Sequence, residues 1–304
     1  MTAPSATWRE ARSWPMMEFN LFLPQMRLSF DDLVVRARSA EVAGFVGMTG
    51  MDHLAPPLAY EQPMFEAIVT STWLAAHTER ITLGSLVLCD AFRLPALLAR
   101  QAVSIDHASG GRFELGIGWG SVPAEFTTFG VGSTEPRERV DRLRESLEVI
   151  RALWAGEVVD YDGRYHRLHG ARQAPLPLGH IPIVIGGTGP RTLALVREHA
   201  DWWNVHVGQI ARLDELRSQV GDARVSIQQM VALVGRAGDR DAVTSLATKR
   251  FGFSRPVIGS SAELVDHYGR LADRGIERVY AWFCDFGPPA TLAEFGEDVI
   301  AQLR

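Results

Sequence analysis

Two polar side chains, Asp52 and His53, follow the short apolar segment that begins at Phe45. A histidine at the end of a strand can exchange a proton near neutral pH, and a carboxylate beside it can influence that exchange. A surface-loop histidine is the alternative, because most of the nine histidines must be structural. We expect His53 to be a site residue, and His206, which follows a later strand, to be a second and weaker candidate.

Glycines occupy alternate positions in the segment LGIGWGS, at Gly116, Gly118 and Gly120, and Ser121 follows them. The missing side chains would let a flat ring or a phosphate approach the backbone along one path. Barrel strands also use glycine to relieve interior crowding, so the spacing alone is a weak signal. Trp119 between two of the glycines favours a site that faces a ring.

A third segment, IPIVIGGTGPRTL, predicts an anion site. Its apolar strand delivers Gly186, Gly187, Thr188 and Gly189 to the start of a helix, with Arg191 in the first turn. Free backbone N–H groups at a helix start bind anions, and barrels commonly hold phosphate at such a loop. A plain strand-to-helix turn would not need three glycines with a threonine and an arginine beside them.

Two further pairs of residues are open to more than one interpretation. Trp202 and Trp203 can line a pocket or fill the layer between helix and barrel, and core packing is at least as good an interpretation for one of them. Cys89 and Cys284 form no CxxC pair, and we expect buried thiols rather than nucleophiles. Such sparse cysteine usage fits a reducing, cytoplasmic compartment.

Eight apolar segments alternate with helical segments, beginning near residues 19, 45, 81, 112, 181, 202, 225 and 278. This order predicts a parallel (β/α)8 TIM barrel, a single domain of residues 17–304 after an N-terminal extension of residues 1–16. A doubly wound open sheet is the competing fold, but no glycine-rich turn follows the first strand. In a barrel the chemistry lies at the carboxyl ends of the strands, where the candidates above are found.

Hydrophobic periodicity predicts the helices between these strands. The expected helices are Ser29–Ala43, Pro63–His77, Pro95–Ser109, Glu135–Trp154, Pro190–His199, Leu213–Val220, Ala262–Arg274 and Thr291–Leu303. In the second helix we expect an inward stripe of Phe65, Ile68, Val69 and Trp73. Residues 235–256 are expected to be a polar region without a helix.

A small insertion is predicted before the fifth strand. Asp162 and Gly163 stand between alternating segments, which is a hairpin signal, so residues 158–168 should form a hairpin outside the barrel. His166 and His169 lie in it without a carboxylate or cysteine at a metal-ligand spacing. We therefore expect both histidines to be exposed to solvent and predict no metal site.

Composition excludes several classes of protein. The net charge of −5 over 304 residues argues against a general nucleic-acid binder. With 46% hydrophobic and 22% charged residues the chain can bury a large core and is not a disordered sequence. No run of about 18 uncharged apolar residues occurs, and the first 16 residues lack the apolar segment of a signal peptide, so neither a membrane span nor export is expected.

Five ordered motifs carry a resemblance to a known family. The chain from Phe19 to Leu303 resembles the luciferase-like monooxygenase superfamily through FNLFLPQ, GFVGMTGMDHL, RITLGSLVLCDAFRLPALLARQAVSIDHASGGRFELGIGWG, IPIVIGGTGPRTLALVREHADWWN and DFGPPATLAEFGEDVI. Within it the chain is most similar to the branch of oxidoreductases that use the deazaflavin coenzyme F420.

The resemblance implies a luciferase-like barrel that holds a flavin or deazaflavin ring at the strand ends. A non-prolyl cis peptide bond would fall at Leu86-Val87, behind the ring. Asp52 and His53 would lie near the reactive ring, Gly118, Trp119, Gly120 and Ser121 along it, and Gly186, Gly187, Thr188, Gly189 and Arg191 on the phosphate. It also implies hydride transfer to or from a small organic substrate, with His53 exchanging a proton, Trp119, Trp203 and His206 as pocket walls, and a homodimer.

One departure from the family pattern concerns Ser121. In the sugar-phosphate dehydrogenases of this branch a glutamate acts as an acid at that position, and a serine hydroxyl can hydrogen-bond but is a poor acid near neutral pH. Sugar-phosphate oxidation is therefore disfavoured, and Ser121 is kept as a candidate catalytic residue through its hydroxyl. Glu125 would reach the site only from the next turn, and a carboxylate on a surface loop is the preferred interpretation.

Three other functions are compatible with these residues. An FMN-dependent monooxygenase has the same fold and motifs. A non-catalytic cofactor-binding protein would explain the missing glutamate. A phosphate-binding isomerase or aldolase would explain the GGTG loop, but Lys249 is the single lysine and lies in a polar region, so no Schiff-base lysine is evident.

Overall fold

The computed structural model describes residues 14–57 and 59–304, and within them eight parallel strands close into a barrel surrounded by helices. The strands in chain order are β1 (Glu18–Phe22), β2 (Gly47–Gly50), β3 (Thr82–Ser85), β4 (Leu88–Cys89), β5 (Phe113–Gly118), β6 (Val159–Asp162), β7 (Arg167–Ala171), β8 (Ile183–Gly186), β9 (Trp202–His206), β10 (Arg224–Leu233), β11 (Val257–Gly259) and β12 (Arg278–Phe283). The predicted (β/α)8 barrel is confirmed.

The described α-helices occupy the connections between strands. They are α1 (Phe30–Ala43), α2 (Ala67–Ala75), α3 (Pro95–Ser109), α4 (Pro123–Phe129), α5 (Pro136–Trp154), α6 (Pro190–His199), α7 (Leu213–Arg217), α8 (Arg240–Phe251), α9 (Ser261–Asp273) and α10 (Pro289–Asp298). Short 3₁₀ helices cover Asp90–Phe92, Val207–Arg212, Gly252–Ser254 and Ile300–Gln302. No helix among the described residues is both long enough and apolar enough to cross a membrane.

The barrel closes where the last strand of the chain, β12, pairs with the first strand, β1. β12 pairs with β1 on one side and β10 on the other, and β10 pairs with β9. β3 and β4 share one place in the ring, because both pair with β5. β11 lies outside the ring and extends the sheet beside β10. All eight places run parallel, so their carboxyl ends meet at one mouth of the barrel.

Local sequence signals set the first helix. Ser29 caps α1, because its hydroxyl accepts from the N–H of Asp32 at 3.1 Å and the Asp32 carboxylate accepts from the N–H of Ser29 at 3.0 Å. Gly44 ends the helix in the left-handed conformation at φ 92°, which glycine adopts without strain. The predicted helix is confirmed, with Ser29 as its cap and Phe30 as its first residue.

The predicted inward stripe of α2 is confirmed for Ile68 and wrong for the other three residues. Val69 and Trp73 are exposed and Phe65 lies before the helix, where its ring stacks on Phe30 at 4.2 Å. The buried positions are Ala67, Ile68, Thr70, Ser71, Leu74 and Ala75. The face that packs on the barrel therefore carries Ile68 and Leu74 among small side chains, and the exposed face carries Val69 and Trp73.

Two helices form where no helix was predicted. α4 lies in the glycine-bearing stretch after β5, and α8 lies in the segment expected to be polar and irregular. α8 buries Ala247 and Phe251, which is too sparse a pattern for hydrophobic periodicity to detect. Its start is marked by Asp239, whose carboxylate accepts from the N–H of Asp241 at 2.9 Å.

The predicted hairpin is present, but it is packed more closely than expected. β6 and β7 pair antiparallel outside the barrel. His169 is exposed, whereas His166 is buried and its Nε2 lies 2.9 Å from the Ser146 hydroxyl on α5. The expectation of exposure is therefore wrong for His166, because the hairpin packs against α5 instead of projecting into solvent.

The N-terminal extension was predicted over residues 1–16, and residues 1–13 lie outside the described part of the chain. Trp14 packs against the hydrophobic core, with its ring over Gly269 of α9. The division into an extension and a single domain of residues 17–304 stays a prediction.

Candidate active site

A cleft of ≈ 300 Å³ opens at the carboxyl ends of β2, β4, β5 and β8. It brings together ten of the residues that the sequence placed at the site: Asp52, His53, Leu86, Val87, Gly118, Trp119, Gly120, Ser121, Gly186 and Gly187. Leu88, Cys89, Glu125 and Phe126 complete the lining. These residues come from four strand ends and from α4, so only closure of the barrel makes them neighbours.

His53 is paired with a carboxylate in this cleft. Its Nδ1 lies 2.7 Å from Oε2 of Glu125, which comes from the first turn of α4. The other oxygen, Oε1, accepts from the backbone N–H of Leu54 at 2.7 Å. Glu125 is only 2% exposed, so the carboxylate is held rigidly on one side of the imidazole.

The surface-loop interpretation of Glu125 is thus wrong. Pro123 occupies the first position of α4, and Phe126 is buried beside Glu125. A proline followed two residues later by a glutamate is typical of a helix start. That signal was available in the sequence, but the short length of α4 concealed it.

Asp52 does not pair with His53. Its Oδ2 accepts from Nη1 of Arg93 at 2.5 Å and from the N–H of Cys89 at 2.7 Å, and its Oδ1 accepts from Nη2 of Arg93 at 2.9 Å. Burial would lower the pKa of the Arg93 guanidinium, but the carboxylates of Asp52 and Glu66 outweigh that effect and raise it. Asp52 therefore ties the end of β2 to the segment after β4, and sequence reasoning missed its partner Arg93.

The chain bends between β3 and β4 at a non-prolyl cis peptide bond, Leu86-Val87, which is where the family resemblance places one. Both residues line the cleft. A Cβ atom on Gly116 would lie 1.9 Å from the Ser85 carbonyl oxygen, and one on Gly118 would lie 2.7 Å from Cγ2 of Val87. The two glycines therefore admit the bend of the neighbouring strand, so relief of interior crowding is the main reason for their spacing.

Cys89 lines the cleft as a neutral thiol. Burial raises its pKa to about 12, and the negative charge of Asp52 adds to the effect. The expectation that both cysteines are buried is confirmed. Gly120 lies beside this thiol at φ 84°, where a Cβ atom would be 2.9 Å from the sulfur.

The glycine-rich loop after β8 contributes Gly186 and Gly187 to the cleft. α6 begins immediately after Gly189 at Pro190, so the positive end of the helix dipole lies beside the loop. Arg191 is half-exposed, and its Nη1 lies 2.9 Å from Oδ1 of Asp141 on α5. Thr188 and Gly189 lie in the turn and are not part of the cleft lining. The Arg191 guanidinium forms an ion pair with Asp141 and is also outside the cleft lining.

The two predicted substrate-contacting residues lie outside the cleft lining. Trp203 is fully buried in the core, and its Nε1 donates to the Gly187 carbonyl at 2.8 Å. Because its surface is covered on all sides, Trp203 braces the glycine-rich loop from behind and does not form a wall of the cleft. His206 is exposed at the end of β9, where its Nδ1 accepts from the N–H of Gly208 at 3.1 Å.

Metal binding has no support in the described part of the chain, where no three His, Cys, Asp or Glu side chains are grouped as metal ligands would be. Lys249 lies exposed on α8 and does not line the cleft. A Schiff-base mechanism therefore has no lysine at the cleft.

Comparison with known proteins identifies relatives of this arrangement. A family model described as luciferase-like monooxygenase matches residues 17–247. An F420-dependent glucose-6-phosphate dehydrogenase of Mycolicibacterium fortuitum is 37% identical over 164 residues, which cover 52% of this chain and 48% of that protein. One of Intrasporangium calvum is 31% identical over 235 residues, covering 72% and 69%. The chain thus spans about half the length of the first of these relatives.

A solved structure is also similar. The F420-dependent secondary alcohol dehydrogenase in complex with an F420-acetone adduct superposes with a TM-score of 0.81 over 95% of this chain and 99% of the other, at 17% identity. At that identity the likeness establishes the shared fold.

Proposed function

Because the chain belongs to the luciferase-like monooxygenase family, we propose that it is an oxidoreductase that transfers a hydride between the deazaflavin coenzyme F420 and a small organic substrate. The observation that carries the proposal is the His53–Glu125 pair, at 2.7 Å, in the cleft at the strand ends. The choice of coenzyme is supported by the F420-dependent relatives.

The residues of the cleft fit such a coenzyme. The cleft has a volume of ≈ 300 Å³, which is at the lower end of the range for ligand-binding sites. The lining of the cleft is mostly apolar, as is usual for such sites. Leu86 and Val87 would support one face of the ring, and Gly118, Trp119, Gly120, Gly186 and Gly187 would surround it. When bound, the coenzyme supplies the redox chemistry by accepting or donating a hydride at C5.

The proton moves through His53. Since the Glu125 carboxylate occupies Nδ1 as an acceptor, the neutral imidazole carries its hydrogen there and leaves the lone pair of Nε2 free. Nε2 then takes the proton of a substrate hydroxyl on oxidation, or returns one to a carbonyl oxygen on reduction. The negative charge of Glu125 stabilises the imidazolium, so Glu125 is a positioning residue for this transfer.

Two further residues of the cleft, Ser121 and Trp119, would contact the substrate and exclude water. Ser121 is exposed at the cleft, where its hydroxyl can hydrogen-bond to a substrate but cannot supply an acidic proton near neutral pH. The proposed substrate is therefore an alcohol or carbonyl compound that exchanges its proton with His53. Trp119 is partly buried beside the ring position, where it excludes water.

The proposal is tested by titrating the purified protein with F420 and, separately, with FMN, following tryptophan quenching and ring absorbance. Micromolar or tighter binding of F420 alone is expected. Preference for FMN, with oxygen consumption in the presence of a reductant, would move the protein to the FMN-dependent monooxygenases that share its fold. Binding of neither would refute the redox function, and tight binding without turnover over a broad alcohol and ketone panel would favour a carrier.

A further inference from the structure

The side of the barrel mouth formed by β9 and β10 carries polar side chains that the proposed reaction does not use. Trp203 and Val205 of β9 belong to the hydrophobic core, so Asn204 between them faces the inside of the barrel. Asn204 is partly exposed, although the buried side chains of Trp202 and Arg278 fill the opposite end of the barrel. Solvent therefore reaches Asn204 through the mouth.

Asn204 stands at the edge of the cleft, behind Gly186. Gly186 lines the cleft and is paired with Asn204 across β8 and β9. A Cβ atom on Gly186 would lie 3.9 Å from the Cβ atom of Asn204, so the two positions share one face of the sheet. Since Gly186 has no side chain, β8 places no group between the Asn204 amide and the cleft.

Ser226 on β10 fixes the orientation of this amide. The Ser226 hydroxyl donates its one hydrogen to the Trp203 carbonyl oxygen at 3.2 Å, so it accepts from Nδ2 of Asn204, also at 3.2 Å. Within the described part of the chain, Oδ1 of Asn204 accepts no hydrogen bond. Asn204 therefore keeps its carbonyl oxygen and one N–H for a ligand.

Gln228 supplies a second free amide on the same side of the mouth. It follows Ser226 by two residues on β10, so both side chains face the inside of the barrel. It is paired with His206 at the end of β9 and is partly exposed. Its side chain forms no hydrogen bond with any described residue. Two uncharged amides on rigid strands, each with an unused donor and acceptor, suit a ligand group that both donates and accepts.

We propose that Asn204 and Gln228 bind a second, uncharged hydroxyl group of the substrate. His53 exchanges the proton of the reacting oxygen, and the two amides hold an oxygen that does not react. A hydroxyl donates to an amide oxygen and accepts from an amide N–H, whereas an ionised carboxylate has no hydrogen to donate to Oδ1 of Asn204. The substrate class is then a polyol or a hydroxy ketone. The inference rests on the proposed function, because the reacting carbon must lie at the ring in the cleft.

The test compares alcohols that differ by one hydroxyl group: propan-2-ol with propane-1,2-diol, and cyclohexanol with cyclohexane-1,2-diol. Steady-state kinetics with F420 should give wild type a higher kcat/KM for the diol of each pair. Asn204→Leu keeps the approximate side-chain volume but turns an apolar group toward the hydroxyl. It should lower kcat/KM for the diols about 5- to 50-fold and leave the single alcohols within about twofold. For a compound that is not turned over, the dissociation constant from the F420 complex, followed by F420 fluorescence, should show the same ratios.

Two further variants sharpen the result. Gln228→Leu should also lower kcat/KM for the diols selectively, and it tests the same side of the mouth if loss of the Ser226 contact prevents Asn204→Leu from folding, which Tm measures. Gln219→Leu is the matched control, because Gln219 is exposed before the start of β10, at the opposite end of the barrel. It should leave the kinetics of all four alcohols and the F420 dissociation constant unchanged.

Several outcomes would overturn the inference. Equal losses for diols and single alcohols in both variants would mean that the amides support the mouth structurally, and unchanged diol kinetics in both would mean that they bind only water. Weaker F420 binding with the diol preference kept would assign them to the coenzyme ring, whose pyrimidine edge also donates and accepts. A wild type that treats diols and single alcohols alike refutes the inference while the proposed function stands, whereas binding of neither F420 nor FMN refutes both.

Discussion

His53 and Glu125 are 72 positions apart in the chain, yet the proposed chemistry depends on their contact. An imidazole free in solvent can carry its hydrogen on either nitrogen, and only one form presents a lone pair to the substrate. The buried carboxylate selects that form. At the scale of single residues, the site is therefore defined by one hydrogen bond.

This contact gives the first prediction. His53→Ala should lower kcat about 10²- to 10⁴-fold, the usual contribution of a general acid or base, with the coenzyme dissociation constant unchanged. Glu125→Gln keeps the shape of the side chain but removes its charge, and it should lower kcat at least about 10-fold with KM within twofold. Steady-state kinetics and the F420 titration measure both effects.

The control is Glu135→Gln, because Glu135 is exposed just before α5 and outside the cleft. Normal kcat in both His53→Ala and Glu125→Gln would show that proton exchange does not pass through this pair. A parallel rise of the coenzyme dissociation constant would show that the pair supports binding rather than chemistry.

At the scale of elements, the bend between β3 and β4 requires that β5 has no side chain at Gly116 and Gly118. Gly116→Ala would place a methyl group within 1.9 Å of the Ser85 carbonyl oxygen, so one of the two strands must move. We expect a loss of at least about 1–3 kcal/mol in the free energy of unfolding, and a fall of several degrees in Tm. Differential scanning fluorimetry measures the change.

Two glycines elsewhere serve as comparisons for this effect. A Cβ on Gly186, at the end of β8, would meet its nearest atom at 3.5 Å, and one on Gly179 would meet nothing within 4 Å. Alanine at either position should change Tm far less than Gly116→Ala. Equal effects at all three positions would contradict the steric explanation of the glycine spacing.

The packing of the hairpin on α5 gives a pH-dependent prediction. Burial lowers the pKa of His166 from its ordinary value of 6.5, and the positive charge of Arg142 contributes. Below about pH 6.5 the unfolded chain binds the proton more readily than the folded chain, so stability falls as the pH falls from 6.5 toward the lowered pKa of the folded state.

His166→Gln removes this titration while its amide can still reach the Ser146 hydroxyl. The loss of Tm between pH 7 and pH 5.5 should therefore be smaller in the variant than in wild type. It should not vanish, because burial also lowers the pKa of His199 and His267. An identical slope in both proteins would count against the buried, neutral state of His166.

At the scale of the whole molecule, charged residues inside the barrel connect distant strands. Nη1 of Arg278 on β12 lies 2.6 Å from Glu114 on β5, and its Nη2 lies 2.7 Å from Glu18 on β1. The guanidinium also lies 3.7 Å from the ring centre of Trp202 on β9. One side chain of β12 thus contacts three other strands of the barrel at the end opposite the cleft.

Arg278→Met should lower the free energy of unfolding by about 3–5 kcal/mol, since it leaves the buried carboxylate of Glu114 unpaired. Chemical denaturation measures the loss. Adding Glu114→Gln should restore part of the stability, because the unpaired charge is removed. Arg270→Met, which breaks an exposed ion pair with Asp266, is the control and should leave Tm unchanged; an equal loss in the two single variants would contradict this role of Arg278.

The expected assembly also belongs to this scale. A homodimer in the cytoplasm remains a prediction, based on the family resemblance and on the two unpaired cysteines. Phe30, Phe65 and Trp73 form a partly exposed aromatic cluster beside α1 and α2. Sequence periodicity had placed Phe65 and Trp73 in the core.

The sequence by itself determined the order of strands and helices, the barrel and most residues at its mouth, because these depend on local periodicity, caps and strand ends. Helices α3 and α6 begin and end at the predicted residues. Short α4 and the sparsely apolar α8 escaped such reasoning, because each offers too few apolar positions for a period to appear.

Only the tertiary structure decided which side chains meet. Glu125 rather than the adjacent Asp52 contacts His53, because closure of the barrel brings α4 over the end of β2 while Asp52 is held by Arg93. The same closure buried Trp203 behind the glycine-rich loop. These partners are set by distances in space, which the spacing of residues along the chain does not encode.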